Sequence, residues 1–224
     1  MNARVWDILV SAFPEILVQA LKVTIPLTLI SFVIGSAIAL FLALVQLANV
    51  RGLKQFARIY IWVFRGTPLL VQLFIIFFGL PSVGIVLDAF PSAVIAFSLN
   101  LGAYNAEVFR SAIQAVPSGQ LEAAYMAGLS YPQAMRRIVL PQSFRIAFPP
   151  LFNSFIGLTK DTSLASSITL IELFRQAQQI AARTFEPLAL YCEAAVVYLL
   201  ICTLLTWLQS YLEGRMTWGQ RAAA

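Results

Sequence analysis

Asn100, Tyr104 and Glu107 follow one another at offsets of four and three residues, so a helix carrying them presents all three on one face. A second polar run, Lys160, Asp161, Thr162 and Ser163, lies inside the segment GLTKDTSLASS, with Gly157 just before it and Ser166 and Ser167 just after. Hydroxyls and exposed backbone at a helix interruption receive a carboxylate, and Asp161 or Glu107 receives an ammonium group. Together these are the contacts a zwitterionic solute requires. Gln72, in FRGTPLLVQLF, adds an amide that points into whatever bundle this segment joins. A structural reading stands beside the binding one: Lys160 and Asp161 neutralise each other and hold helices together, and FRGTPLLVQLF serves structure through the bend that Gly66 and Pro68 mark, with Gln72 the exception.

The elements that must position these groups are apolar. The chain is 60% hydrophobic and 11% charged, against about 25% charged for an ordinary soluble domain. Uncharged stretches run from Val23 to Val50, Gly66 to Leu87, Ala89 to Ala106 and Ala194 to Leu212. Each is near or above the roughly 18 residues that suggest a membrane span. A fifth, from Ile146 to Ile171, is interrupted by Lys160 and Asp161. The expected fold is therefore all-α and polytopic, one domain over residues 1–224 with five spans at about 16–47, 60–80, 91–115, 146–171 and 188–211. At about 1.5 Å per residue, Asn100 and Lys160 both fall near mid-bilayer, with Glu107 about 10 Å from Asn100. A lone charge at that depth costs about 2.5 to 3.5 kcal/mol, so the charged pair is expected to face a wet cavity. The N-terminal stretch lacks the basic start, compact apolar core and cleavage site of a signal peptide.

Basic residues set the orientation. Arg51, Lys54, Arg58 and Arg65, then Arg110, Arg136, Arg137 and Arg145, then Arg215 and Arg221 share one side, whereas Arg4, Arg175 and Arg183 face the other, with Lys22 near its edge and Asp88 between spans two and three. By the positive-inside rule the N-terminus is outside and the C-terminus cytoplasmic. The net charge of +5 is then a topology signal, and without a basic soluble face a nucleic-acid partner is not expected. Trp6, Trp62, Trp207 and Trp218 are read as interfacial or packing aromatics. The chain has no histidine and only two cysteines, Cys192 and Cys202, which removes the usual metal ligand sets and the Ser–His and Cys–His nucleophiles. It also has no GxxxxGK[ST] phosphate loop, so ATP and Mg, if used, belong to another polypeptide. No cofactor is expected in this chain.

The loop at about 116–141 is a polar segment set between long apolar runs. Within EAAYMAGLSYPQAMRRIVLP, small residues Ala123, Ala124, Ala127 and Gly128 recur at helical steps and offer a flat face to a partner. Pro132 is expected to break a first helix, and Pro141 to end a second that carries Arg136 and Arg137. The alternative is an amphipathic linker without a partner.

With Glu122, Ala123, Ala124, Gly128, Ile138, Leu140 and Pro141 at their spacings, this segment resembles the EAA signature of ABC importer permeases. FRGTPLLVQLF, SLNLGAY with NAEVFRSAI, and NSFIGLTKDTSLA with ITLIELFRQAQ, in order from Phe64 to Gln178, are similar to the polar amino-acid permeases of that class. This is the histidine, glutamine, arginine and opine group. RGTPLLVQLF, GLPSVGI and RQAQQIAART resemble cystine permeases most. The resemblance implies a multi-pass subunit of the bacterial cytoplasmic (inner) membrane, paired as a homodimer or a paralogous heterodimer. It further implies two ATP-binding subunits docked on the EAA helices and an external solute-binding protein that delivers the amino acid. Substrate-binding residues on this reading are Gln72, Asn100, Tyr104, Glu107, Lys160, Asp161, Thr162 and Ser163. Glutamine, glutamate, arginine or histidine are the alternative solutes. Two other classes fit less well: an ion-coupled secondary transporter, for which five spans leave little room for inverted repeats, and an intramembrane hydrolase, which lacks a base near Ser163.

Overall fold

The computed structural model describes residues 3–48 and 50–221, with side chains as far as residue 215, so the side chains of Trp218 and Arg221 lie outside the described residues. Every regular element described is helical. Helix α1 runs Ala3–Leu47, α2 Arg51–Gly66 and α3 Leu69–Val83. Helix α4 runs Ala89–Gln114 and α5 Ser118–Met126. Helix α6 covers 131–161 and continues as a 3-10 segment, Thr162–Ile168. Helices α7, Leu173–Thr184, and α8, Pro187–Arg221, complete the chain.

Prolines shape these helices without ending them. Three π turns, Ala20–Thr24, Ile75–Gly79 and Met135–Val139, each stop two residues before a proline: Pro26, Pro81 and Pro141. A proline clashes with the carbonyl four residues back and offers it no donor. The wider π turn absorbs this: in each case the residue before the proline donates its N–H five residues back, Ile25 to Ala20, Leu80 to Ile75 and Leu140 to Met135. Pro141 thus lies inside α6 rather than at its end, which corrects the sequence expectation. Pro132 opens α6 instead of breaking α5. It is Gly128, at φ 77°, that stops α5, through a Schellman pair in which Gly128 N–H donates to the Tyr125 carbonyl and Leu129 N–H to that of Ala124.

Among the described residues two helices, Ala3–Leu47 and Pro187–Arg215, are long and apolar enough to cross a membrane. Helices α2 and α3 together make a third candidate, but they meet at 103°, the geometry of a broken span or of a re-entrant loop. Pro68, which has no N–H to continue α2, marks the break. Helix α4, at 26 residues, is about 39 Å long and exceeds a hydrocarbon core of about 30 Å. Its Asn100, Asn105 and Glu107 dilute its apolar character, as Lys160 and Asp161 do for α6.

The tightest packing lies between α1 and α4. Ser31, Gly35 and Ala39 on α1, spaced by four, face Ser98, Gly102 and Ala106 on α4. Small residues let helix backbones approach where lipid supplies no hydrophobic drive. A Cβ at Gly35 would lie 3.0 Å from the Ser98 carbonyl oxygen, and one at Gly102 2.7 Å from Ile38 Cγ2. Gly35→Val and Gly102→Val are each expected to lower stability by about 1 to 3 kcal/mol through overpacking. Thermal unfolding of the detergent-solubilised protein measures this. Gly52→Ala, whose Cβ meets open space, is the control expected to hold its midpoint.

Two apolar clusters matter for the site. One joins Leu73 and Ile76 of α3, Ala96, Phe97 and Leu101 of α4, Leu158 of α6 and Ala165 and Ile168 of the 3-10 segment. The other packs Ile16 of α1 against Leu173 of α7 and Leu190 of α8.

Candidate functional site

Helix α3 and the end of α6 thus converge on α4 through one shared cluster, whereas Tyr104 and Glu107 lie further along α4. Asn100 and Gln72 meet directly: Asn100 Nδ2 donates to Gln72 Oε1 at 3.0 Å. The Gln72 amide donates in turn to the Phe64 carbonyl at 2.9 Å, the Thr67 carbonyl at 3.1 Å and Thr67 Oγ1 at 2.8 Å. These are the groups that the break between α2 and α3 leaves open, so the two amides close the corner. Tyr60 Oη adds a 2.8 Å bond to the Leu99 carbonyl. Gln72 is buried and spends both ends of its amide on this corner.

One and two turns along α4, Tyr104 and Glu107 face a cleft of about 510 Å³ together with Arg65, Ser111 and, across from them on α6, Ile146 and Pro150. The Arg65 guanidinium sits over the Tyr104 ring, 5.4 Å from its centroid. Glu107 is held by both sides of the Arg110 guanidinium, whose Nε donates to Oε2 at 3.0 Å and whose Nη2 donates to Oε1. Arg110 also reaches Gln114 Oε1 at 2.6 Å. The cleft therefore presents a cation on an aromatic face and a carboxylate already oriented by a fork of donors. Arg65, read from the sequence only among the basic residues that set the orientation, is a cleft member that the sequence reading missed.

At the far end of α6 the backbone changes period. Thr162, Ala165 and Ile168 are all fully buried at intervals of three, which is the single face of a 3-10 helix. Thr162 consequently turns inward, where its hydroxyl donates to the Thr159 carbonyl at 2.7 Å. It sits beside Tyr198, which donates to Glu172 Oε2 at 2.9 Å. Glu172 is fully buried and caps α7 by accepting from Phe174 N–H and Arg175 N–H, so its charge is met by three donors. Thr24, in the first π turn, accepts from the Leu173 N–H at 3.2 Å. Ser163, Lys160 and Asp161 look the other way. The Ser163 hydroxyl donates to the Lys160 carbonyl at 2.8 Å, and Lys160 and Asp161 are exposed. Among the described residues, the ion pairs are Glu107 with Arg110 and Glu15 with Arg183; Lys160 and Asp161 do not close one with each other.

In the segment 116–141, Glu122, Ala123, Ala127, Gly128 and Pro141 are exposed, whereas Ala124 is buried and Ile138 and Leu140 are partly buried. Leu140 packs with Leu121 and Val116 around Ile113, Met135 and Val139, which seats α5 on α6. Met126, Tyr125 and Tyr131 stand exposed around the turn.

A bundle of apolar helices, with amides stitched across a bent helix pair and free charges at a helix end, has the fold of a membrane permease. Residues 33–218 match the binding-protein-dependent transport system inner membrane component family, and the chain belongs to it. Such permeases are transport components rather than enzymes; they work with ATPase subunits, where the nucleotide is used, and with a binding protein. The chain is 50% identical over 212 residues to the L-cystine transport system permease protein TcyB of Bacillus subtilis, covering 94% of this chain and 91% of that one. It is 37% identical over 219 residues to TcyL, another L-cystine transport system permease protein of that organism, covering 95% and 92%. The crystal structure of an amino acid ABC transporter with histidines superposes with a TM-score of 0.88 at 35% identity, covering 96% of this chain and 100% of that one. The MetNI methionine ABC transporter, at 17% identity and a TM-score of 0.70, shares the fold.

Proposed function

We propose that this chain is the permease subunit of an ATP-driven importer of polar L-amino acids, with cystine as the solute ahead of glutamine, glutamate, arginine or histidine. The observation that carries the proposal is a cleft lined by Arg65, Tyr104 and Glu107, with Lys160 and Asp161 exposed and not paired to each other at the far end of α6. Cystine carries two ammonium and two carboxylate groups, and the cleft and the α6 end offer both signs of charge. Two relatives named for cystine support the choice.

The five-span reading is kept, with α1, the broken α2–α3 pair, α4, α6 and α8 crossing a bacterial inner membrane as one domain, N-terminus outside and C-terminus cytoplasmic. On that topology α5 and the start of α6 face the cytoplasm and receive the ATPase, through Glu122, Ala123, Gly128 and Pro141 on the surface and Ala124, Ile138 and Leu140 beneath. A second permease subunit, identical or paralogous, completes the pathway, and an external binding protein delivers the solute. Within the binding set, Asn100, Tyr104, Glu107, Lys160, Asp161 and Ser163 keep the solute role; Gln72 and Thr162 are assigned to holding the corner and the 3-10 face.

Asp161 and Ser163 are the cleanest probes, because neither serves as an acceptor for a buried donor. Asp161→Asn and Ser163→Ala are each expected to reduce cystine uptake by about fivefold or more, the equivalent of one lost hydrogen bond to substrate, with the complex intact. Thr162→Val is expected to act on thermal stability instead. Full uptake in both Asp161→Asn and Ser163→Ala, with normal delivery by the binding protein, would remove the α6 end from the solute path.

A further inference from the structure

A separate cleft of about 580 Å³ lies between the N-terminal parts of α1 and α8, far along the chain from the residues assigned to the solute. Its wall carries Trp6, Val10 and Phe13 of α1 and Cys192, Glu193 and Val196 of α8. Glu193 is the one ionisable carboxylate in that wall. Its Oε2 is buried and accepts no hydrogen bond. Two basic side chains of α1 and α7 are engaged elsewhere: Arg4 donates to the Thr184 carbonyl, and Arg183 lies 3.8 Å from Glu15. A carboxyl group without a donor in an otherwise apolar cleft offers a place to a cation that brings its own N–H.

The depth of the cleft says what carries that cation. Arg215, stacked 4.7 Å over the Tyr211 ring, marks one headgroup level of α8. Glu193 lies 22 residues before it, about 33 Å along the helix, which is one hydrocarbon thickness away. Glu193 therefore sits at the opposite headgroup level, beside the exposed Trp6 ring, a residue type favoured at that boundary. From there Val196 and Leu200, at offsets of three and seven on the same face of α8, continue as exposed apolar surface toward the bilayer interior.

We propose that this cleft binds the ethanolamine headgroup of a membrane phospholipid, its ammonium donating to the Glu193 carboxylate and resting against the Trp6 ring while an acyl chain follows Val196 and Leu200. An aromatic face and a carboxylate both attract a cation. Only an ammonium that retains N–H satisfies that carboxylate, which selects ethanolamine over choline. A glycerol headgroup carries no cation at all.

The test uses the full-length permease in nanodiscs of phosphatidylethanolamine, phosphatidylcholine or phosphatidylglycerol, with retained lipid counted by native mass spectrometry. Phosphatidylethanolamine is expected to be retained about tenfold over the other two, and Glu193→Gln to abolish the preference. Should that variant not accumulate, the wild-type protein with mono-, di- and trimethylated ethanolamine lipids decides: retention falling stepwise to the choline value supports the site. In a Cys202→Ser background, Cys192 reports occupancy through slower maleimide labelling in ethanolamine lipid. Equal retention of the three lipids, a preference that survives Glu193→Gln, or disulfide cross-linking of Cys192 between two permease copies would overturn the proposal.

Discussion

Gly128→Trp is expected to abolish solute-stimulated ATP hydrolysis by the assembled transporter while the permease reaches the membrane in normal amount. The backbone at Gly128 is left-handed, and a side chain there costs about 1 to 2 kcal/mol of local strain, too little to unfold a packed domain. The larger effect is steric. A Cβ at Gly128 meets nothing within 4 Å, so an indole projects outward from the turn among the exposed Tyr125, Met126 and Tyr131. On the proposed reading this exposed apolar patch receives the ATPase, and a bulky ring at its centre would hold that partner away. Gly128→Ala isolates the strain and is expected to keep most of the hydrolysis. Normal hydrolysis and normal ATPase association in the Trp variant would show that the partner docks elsewhere.

Gln72→Leu is expected to be the most destabilising single change in the candidate site. It keeps the volume and removes an amide that serves the Phe64 and Thr67 carbonyls and accepts from Asn100. A buried polar group left without its partner costs about 1 to 3 kcal/mol, and because Asn100 Nδ2 keeps a 3.4 Å contact with the Phe64 carbonyl the corner loses about that much or more. The measurements are the thermal midpoint in detergent and the amount of permease extracted from membranes, both of which fall. If stability holds and only uptake drops, the amide contacts solute rather than bracing the bend.

How far these roles were legible from sequence depends on whether the backbone kept a single period. Helix α4 is regular across Asn100, Tyr104 and Glu107, so offsets of four and three placed them on one side correctly. The partners of Asn100 and Tyr104, though, come from either side of the Gly66–Pro68 corner, and no spacing rule states where a chain that turns by 103° sends Arg65 and Gln72. The polar run after Lys160 was legible as an interruption. The change to three residues per turn was not, and it sends Thr162 inward and leaves Ser163 partly exposed. Proline was the other misleading signal. Taken alone, Pro141 ends a helix; with a π turn ahead of it the helix continues, because the stranded carbonyl loses its clash rather than its helix. Glycine was more informative than either, since Gly128 fixed the end of α5 through a conformation that other residues resist.

Because Pro141 does not terminate α6, the turn at Gly128 and the exposed charges at Lys160 and Asp161 stand at the two ends of one unbroken rod. Its 31 residues, 131–161, measure about 46 Å. Tilting such a rod by about 5° about its first turn carries the far end sideways by about 4 Å, more than the reach of a hydrogen bond. A few degrees of leverage at the turn is thus enough to make or release every contact that Lys160 and Asp161 offer, with no refolding between the two ends.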